Sequence, residues 1–250
     1  MRDALSTVVR YRHLLNESLA IGVEDAGANV LVREELVAEG AGSSRQATEL
    51  AIGVLFRFCA ALLGAHWRPR SVQFTHQAPP ELYMHERIFR CPIVFGAEFN
   101  GFVFPAALLD RANPTADPAM ARFAARFLES MSACNEPSTV LEVRKAIYIL
   151  LPTGRATIEQ IAQSLGMNVR TLQRRLDESG ASFSALICGV RRELVQRYMG
   201  NARFPLGRIA ELLGYANPSS FTRWFITQFD QPPARWRAMR QRRGPSAKTR

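Results

Sequence analysis

The residues best suited to recognition chemistry form two short polar groups in the C-terminal part of the chain. In the first group, Arg170, Gln173 and Arg174 fall at positions i, i+3 and i+4, which places them on one face of a helix. Arginine donates paired hydrogen bonds to guanine O6 and N7, and glutamine pairs in the same way with adenine N6 and N7. The first group therefore indicates a helix that reads base edges in a DNA major groove.

The second group, Ser219, Thr222 and Arg223, has the same helical spacing. Its hydroxyl groups and guanidinium suit contacts to bases or to phosphates. The residues that we predict to contact DNA are Asn168, Arg170, Thr171, Gln173, Arg174, Ser219, Ser220, Thr222 and Arg223. The alternative for any one of them is a contact with phosphate or solvent alone. Four further arginines, predicted to contact the phosphate backbone or to lie on a solvated face, are Arg175, Arg191, Arg192 and Arg208.

A repeated apolar pattern predicts the elements that carry both groups. The stretch Ile161-Ala162-Gln163-Ser164-Leu165-Gly166 is echoed by Ile209-Ala210-Glu211-Leu212-Leu213-Gly214 at an offset of 48 residues. Each stretch predicts a short helix that ends at a glycine, where a positive φ or a close helix approach favours a residue without Cβ. A second helix follows each turn, with Asn168 and Asn217 as N-cap residues. This is the pattern of two helix-turn-helix units in tandem.

The spacing of these units predicts how they would meet a duplex. The predicted reading helices cover about 168–179 and 217–228, and a long helix over Phe183–Met199 separates them. At ~1.5 Å per residue this helix spans roughly 25 Å. A spacer of that length can set two reading helices about one DNA turn, ~34 Å, apart. One chain is thus predicted to read two successive major grooves.

The charge distribution points to the same segment. The chain has a net charge of +10, from 32 basic and 22 acidic residues. Residues 155–250 hold 17 of the basic and 6 of the acidic residues, net +11, which leaves −1 for residues 1–154. A local excess of this kind is the electrostatic signature of a protein surface that binds nucleic acid.

The first part of the chain mixes helical and strand patterns. The predicted helices cover Leu5–Leu19, Ser43 or Ser44 to Gly64, Pro79–Pro80 to Phe89, Pro105–Leu109 and Asp117 to about Met131. The predicted strands cover Leu19–Glu24, Asn29–Leu36, Val72–Thr75 and a pair, Ile93–Phe95 with Phe99–Phe104. We therefore predict an α+β domain over 1–137 and an all-α domain over 138–240, in which a long helix joins two helix-turn-helix motifs. A basic tail over 241–250 is predicted to be disordered and to attract phosphate non-specifically.

Enzymatic and metal chemistry find little support. The sequence has no GxSxG elbow, Walker loop, GxGxxG motif or paired-carboxylate pattern, so we expect no enzyme activity and no cofactor. A transition-metal site is conceivable from His66, His76, His85, Cys59 and Cys91, but no HxxxH or CxxC spacing favours it over packed or surface side chains. Six phenylalanines suggest either an apolar ligand pocket or simply a core: Phe74, Phe89, Phe95, Phe99, Phe102 and Phe104.

Compartment signals are those of a cytoplasmic protein. The four cysteines, Cys59, Cys91, Cys134 and Cys188, lack close pairs and suit reduced thiols. The start of the chain, Met1–Arg12, is charged throughout and lacks the apolar region of a signal peptide. Arg57 interrupts the most apolar region, so we expect no span of the ~20 residues that a membrane requires.

Longer motifs carry a family resemblance. They are Thr171-Leu172-Gln173-Arg174-Arg175, Ile209-Ala210-x-x-x-Gly214-Tyr215, Ser220-Phe221-Thr222-Arg223-Trp224-Phe225 and Phe229-Asp230-Gln231-Pro232-Pro233-Ala234-Arg235-Trp236-Arg237. With them, residues 140–240 resemble the AraC/XylS transcription regulators. In the last motif Asp230 stands where that family usually has Gly, and Pro232 where it usually has Ser. The resemblance implies a bacterial regulator, more often an activator, whose partners are double-stranded promoter DNA and RNA polymerase.

The first part carries a weaker likeness to one branch of that family. Two motifs bear it: His66-Trp67-Arg68-Pro69-Arg70-x-Val72-x-Phe74-x-His76-x-Ala78-Pro79 and Phe89-x-Cys91-Pro92-x-x-Phe95-x-Ala97-x-Phe99-Asn100. They resemble the arabinose-binding type of effector or dimerisation domain, which implies a small-molecule effector, a homodimer or both, without implying arabinose. Members of the branch usually have a further helical segment ahead of the stretch like Leu5–Leu19, so this domain is expected to be short at its N terminus.

The leading hypothesis is therefore a sequence-specific DNA-binding transcription regulator under small-molecule control. An alternative of another class is a truncated protein-interaction module whose helix-turn-helix units bind a protein partner. An enzyme fused to a DNA-binding region is the third alternative, and the absence of catalytic motifs disfavours it.

Overall fold

The chain divides into two compact units, Met1–Leu141 (unit 1) and Glu142–Arg250 (unit 2). The structure, a computed structural model, describes residues 1–37, 45–64, 67–111, 116–133 and 137–242. The division lies a few residues after the boundary predicted between 137 and 138. Each unit is described by itself below.

Unit 1 is a mixed helix and sheet structure. Its helices are α1 (Arg2–Leu15), α2 (Arg45–Leu63), α3 (Tyr83–Phe89) and α4 (Pro118–Ala133). Its strands are β1 (Leu19–Ala26), β2 (Asn29–Leu36), β3 (Ser71–Phe74), β4 (Ile93–Phe95) and β5 (Gly101–Pro105), and a 3-10 turn covers Ala106–Leu108. The predicted α+β class is confirmed by this alternation of elements.

The five strands form one sheet in the order β1-β2-β5-β3-β4. Strands β1 and β2 make an antiparallel hairpin, in which Gly27 turns with a φ of 71° and donates its N–H to Asp25 Oδ1 at 3.2 Å. The predicted pairing of Ile93–Phe95 with Phe99–Phe104 is wrong. Strand β4 pairs in parallel with β3, and β5 lies antiparallel between β2 and β3.

The buried residue Asn100 explains why β5 lies between these two strands. Its backbone carbonyl accepts the N–H of Glu34 on β2 at 2.8 Å, and its side-chain oxygen accepts the N–H of Thr75, just after β3, at 2.8 Å. Gly101 then brings the backbones together, because a Cβ at this position would lie 1.8 Å from the Val32 carbonyl oxygen. These long-range bonds left no local signal in the sequence.

The core of unit 1 packs the sheet against α2. Trp67 lies at its centre, with ring centroids 5.3 Å from Phe56 and 5.9 Å from Phe102. Of the six phenylalanines singled out above, four are fully buried, Phe74, Phe89, Phe102 and Phe104, while Phe95 and Phe99 are half-buried. The core interpretation is therefore right for these four rings, although Phe89 also lines a surface groove, and each buried ring stabilises the fold by about 1.5–3 kcal/mol.

One predicted helix start is wrong, and another lies outside the described residues. Helix α3 begins at Tyr83 and not at Pro79–Pro80, so the predicted proline start is wrong. Pro79 precedes a second proline, and a residue in that position is biased towards extended backbone. The predicted caps Ser43 and Ser44 of α2 lie outside the described residues.

Helix α2 also corrects the expectation about apolar length. It is 19 residues long and, by length and composition alone, apolar enough to cross a membrane. Its buried residues recur at helical spacing and pack into the core of unit 1: Thr48, Ile52, Leu55, Phe56, Cys59 and Leu63. A core helix of this kind passes the same test, so the observation is weak evidence for a span.

Unit 2 is helical throughout its described part. Its helices are α5 (Thr139–Leu150, which begins just before the division), α6 (Ile158–Ser164), α7 (Val169–Glu178), α8 (Phe183–Met199), α9 (Leu206–Leu212), α10 (Pro218–Phe229) and α11 (Pro233–Arg242), with a 3-10 turn over Leu151–Thr153. The all-α class is confirmed, and α8 has the predicted bounds. Helix α11 extends two residues into the tail predicted as disordered, which is a correction; residues 243–250 lie outside the described part.

Candidate DNA interface

The first helix-turn-helix unit comprises α6 and α7. Thr157 Oγ1 accepts the N–H of Gln160 at 3.3 Å and starts α6. Gly166 turns the chain with a φ of 68°. Asn168 Oδ1 then accepts the N–H of Thr171 at 2.8 Å and starts α7. Two side-chain caps and one left-handed glycine thus set where the second helix begins.

Helix α7 presents the predicted polar face. Its apolar residues Leu172 and Leu176 are buried, whereas Arg170, Gln173 and Arg174 are exposed. Thr171 is half-buried, and Asn168 is exposed although its side-chain oxygen serves the cap. The guanidinium, amide and hydroxyl groups needed for base contacts therefore lie on or beside one accessible face.

Arg174 has one acidic neighbour on the same helix. Its Nη1 lies 3.7 Å from Glu178 Oε1, and the two side chains are 68% and 60% exposed. A pair that is this long and this exposed contributes little to stability, about 0–1 kcal/mol. The guanidinium can therefore exchange Glu178 for a base or a phosphate at small cost.

The second helix-turn-helix unit, α9 and α10, repeats this geometry. Gly214 turns with a φ of 74°, and Asn217 Oδ1 accepts the N–H of Ser220 at 2.8 Å. Pro218 occupies the first helical position, where its missing N–H removes no helical bond. Phe221 and Phe225 face inward and are buried.

The outer face of α10 is less charged than that of α7. Ser219 and Arg223 are exposed, while Ser220 and Thr222 are half-buried. The Thr222 hydroxyl donates to the Pro218 carbonyl at 2.9 Å, which leaves its lone pairs as acceptors. Ile226, 41% exposed on the same face, adds an apolar side chain that suits a thymine methyl group.

Arg191 departs from its predicted place on a phosphate or a solvated face. It is half-buried, its Nε donates to the Leu213 carbonyl at 3.1 Å, and its guanidinium lies 4.6 Å from the centre of the Tyr215 ring. Arg191 therefore stabilises the turn between α9 and α10. No local pattern announces this role, because its partners follow more than twenty residues later in the chain.

Two other arginines are also engaged within the protein. Arg208 pairs with Glu211 at 2.8 Å on the surface of α9. Arg237 donates to the Phe204 carbonyl at 2.8 Å, and burial lowers the pKa of its guanidinium. Arg175 and Arg192 are exposed and stay predicted phosphate contacts.

The conceivable metal site of unit 1 does not assemble. His76 and His85 place their Nε2 atoms 3.3 and 3.1 Å from the same Glu49 oxygen, whereas Cys59 is buried in the core. Burial raises the pKa of the Cys59 thiol to about 12, so it stays protonated and packs as an apolar group. Within the described residues, which do not include His66, no group of three or more His, Cys, Asp and Glu side chains could hold a metal ion.

Two known families match the chain. The family described as the N-terminal arabinose-binding domain of AraC transcription regulator matches residues 1–113. A helix-turn-helix domain family matches residues 161–239, which include every residue of the candidate interface.

Similar whole proteins are transcriptional regulators. The HTH-type transcriptional regulator VirS of Mycobacterium tuberculosis is 31% identical over 236 residues, covering 94% of this chain and 69% of its own length. The ornithine utilization regulator of Pseudomonas aeruginosa is 25% identical with the same coverage. Among solved structures, the transcriptional regulator CdpR from Pseudomonas aeruginosa matches 94% of this chain and 77% of its own at 20% identity, with a TM-score of 0.43.

Proposed function

The chain belongs to the AraC family of helix-turn-helix transcriptional regulators, and we propose that it reads two successive major grooves of promoter DNA, one with each helix-turn-helix unit. The observation that carries the proposal is the repeated cap. Asn168 and Asn217 each accept the N–H three residues ahead at 2.8 Å, so α7 and α10 begin at equivalent points of the repeated motif. The 17-residue helix α8 separates the two units, as two-groove reading requires.

In this proposal helix α7 makes more base contacts than helix α10. Arg170, Gln173 and Arg174 contact base edges in one groove, with Asn168 and Thr171 beside them at the helix start. In the other groove Arg223 contacts a base, Ser219, Ser220 and Thr222 contact bases or phosphates, and Ile226 contacts a thymine methyl. The exposed and half-buried positions of these side chains support the assignment.

Unit 1 would then control the regulator. Its match to the arabinose-binding type of domain supports a small-molecule effector, of a class taken up below. We further propose that the protein acts in the bacterial cytoplasm, as an activator that contacts RNA polymerase at the promoter. Catalysis has no part in this proposal.

We also propose that unit 1 pairs with a second copy through helix α4. Four large apolar side chains recur on α4 at spacings of three and four residues and lie open: Met120, Phe123, Phe127 and Met131, which are 63%, 63%, 56% and 45% exposed. A stripe of this kind suits a helix–helix interface. Sedimentation should show a dimer that Phe127→Glu converts to monomer, whereas Arg122→Glu on the same helix should leave the dimer intact; a wild-type monomer would contradict the pairing.

Selected DNA provides the test of groove reading. Binding sites would be enriched from random duplexes with the full chain, and guanine N7 methylation interference would locate the contacted grooves. We expect two clusters of interference about one helical turn apart, and binding that weakens steeply with salt because phosphate contacts release counterions. Arg174→Ala should erase interference in one cluster and Arg223→Ala in the other.

Two other outcomes would favour different functions. One cluster alone would leave DNA binding in place but remove the two-groove proposal. No enriched site, together with a stable complex with another protein, would favour the protein-interaction module.

A further inference from the structure

A groove of about 840 Å³ opens on unit 1 between helices α2 and α3. All the residues that line it belong to unit 1, and the aromatic core lies beneath it. Phe56 and Phe89 form its floor, with their rings 5.2 Å apart. The groove is of the size that protein sites for small organic ligands have.

The walls of the groove are apolar and open. Leu50 and Val54 are one turn apart on α2, and Met84 and Ile88 are one turn apart on α3. These four side chains are 69%, 59%, 50% and 40% exposed. Exposing four large apolar side chains around one concavity is costly in water, so an apolar ligand body gains by covering them.

The lining of the groove is strongly basic. It includes Arg57 of α2, Arg68 and the two arginines near the end of α3, Arg87 and Arg90. Within the described part of the chain, Arg57, Arg87 and Arg90 form no ion pair with a carboxylate. Planar guanidinium groups that lack acidic partners are well suited to bind a carboxylate or a phosphate.

Glu49 also lines the groove, and three side-chain nitrogens lie close to its carboxylate. Arg45 Nε lies 3.5 Å, His76 Nε2 3.3 Å and His85 Nε2 3.1 Å from Glu49 Oε1. Glu49 already pairs with Arg45, and it is the one carboxylate against four arginines among the residues that line the groove. From Glu49 to Arg57 helix α2 rises by ~12 Å, and Leu50 and Val54 lie between them.

We propose that this groove binds an organic anion with an unbranched apolar body, its carboxylate or phosphate held by Arg57, Arg87 and Arg90 and its body covering Leu50, Val54, Met84 and Ile88. The inference rests on the proposed sensing role of unit 1 and names the class of its effector. It also makes the effector amphipathic rather than a sugar, because a sugar would leave the four apolar side chains unmatched.

Calorimetry on the full chain without DNA tests the proposal. The probes are decanoate, decyl phosphate, decan-1-ol, decyltrimethylammonium and acetate. We expect one decanoate per chain, about tenfold or more weaker binding of decanol, and no measurable binding of the decyl cation or of acetate. Decyl phosphate measured beside decanoate distinguishes a phosphate head from a carboxylate head.

Variants locate the site. The double change Arg57→Ala with Arg87→Ala should weaken decanoate binding by about 10- to 100-fold, since each removes a charge-assisted contact. Arg122→Ala on α4, an exposed arginine of the same unit outside the groove, is the matched control and should bind decanoate as the parent does. Arg57→Lys keeps the charge and should retain most of the affinity, which guards against a folding defect.

Three results would overturn the proposal. Equal binding of decanoate and decanol would show adsorption to an apolar surface without use of the arginines. Unchanged decanoate binding by the double variant would mean that neither Arg57 nor Arg87 holds the anion. If none of the probes binds, and the chain forms a dimer that Val54→Asp dissociates, the groove is instead covered by a second copy of the chain. Because no DNA is present, each of these results stands apart from success or failure of the proposed DNA reading.

Discussion

The two helix-turn-helix units share a backbone plan but differ in what they bury and what they present. The first presents three exposed arginines, Arg170, Arg174 and Arg175, over a small aliphatic core. The second presents one exposed arginine on helix α10, Arg223, over a cluster of aromatic rings. The first unit is thus richer in exposed arginines, and the second is richer in aromatic packing.

The aromatic cluster shows the difference most clearly. Phe225 lies at its centre, with ring centroids 4.5 Å from Phe229, 5.7 Å from Phe221 and 5.9 Å from Trp236. Helix α11 follows α10 after Asp230, which takes the left-handed conformation at φ 56° where the family usually has glycine. The second unit is therefore packed against α11 through aromatic rings, whereas the helix that follows α7 is the long helix α8.

The largest expected effect is on stability. Phe225→Ala should destabilise unit 2 by about 3–5 kcal/mol, because it empties the centre of the aromatic cluster. Leu172→Ala in the first unit should cost less, about 2–3 kcal/mol, since fewer large side chains surround it. Hydrogen exchange of peptides from residues 142–242 in rising denaturant measures both. Equal losses, or a larger loss for Leu172→Ala, would remove the difference in packing between the units.

The next effect is on DNA binding. Arg174→Ala and Arg223→Ala should each weaken binding to a selected site by about 1–3 kcal/mol, the worth of one good base contact. The two helix-turn-helix units should contribute unequally to the salt dependence of DNA affinity. Replacing Arg170, Arg174 and Arg175 together should lower the slope of log K against log salt by up to about 3, and Arg223→Ala by about 1. Binding isotherms at several salt concentrations measure the slopes. Affinity and sequence preference left intact by both single changes would refute the assignment of these residues.

The smallest effect concerns the turn glycines. Gly166→Ala should cost about 1 kcal/mol, because a φ of 68° strains any residue with a Cβ but the space around it is open. Gly214→Ala should cost about 2 kcal/mol, because its Cβ would also lie 3.2 Å from Leu151 Cδ1. Gly189→Ala within α8 is the control and should stabilise slightly. Thermal unfolding of the three variants ranks them, and a Gly166 variant as unstable as the Gly214 variant would show that the second turn is no more tightly packed.

Sequence reasoning served unit 2 better than unit 1. The caps Thr157, Asn168 and Asn217 and the turns at Gly166 and Gly214 depend on bonds within three or four residues, which a short window of sequence contains. In unit 1 the strand order depends on Asn100, whose partners lie 25 residues away at Thr75 and much farther away at Glu34. A local pattern predicted the strands but paired two of them wrongly.

The candidate sites, like the two units, were predictable from the sequence only where they depend on local spacing. Periodicity alone placed Arg170, Gln173 and Arg174 on an outer face, and the structure leaves all three exposed. It could not place Arg191, which is held by the Leu213 carbonyl and the Tyr215 ring. Nor could it predict the groove of unit 1, because α2 and α3 supply Arg57 and Arg87 from segments about thirty residues apart.

The sequence by itself determined the family, the two classes of fold and the capped second helix of each helix-turn-helix unit, because helical spacing, caps and turn glycines act over one or two turns of chain. Tertiary structure alone decided which arginine braces a turn, which strand lies between which neighbours, and where apolar and basic side chains meet in one groove. Those features depend on contacts between residues far apart in the chain, and such contacts form only when the whole unit has packed.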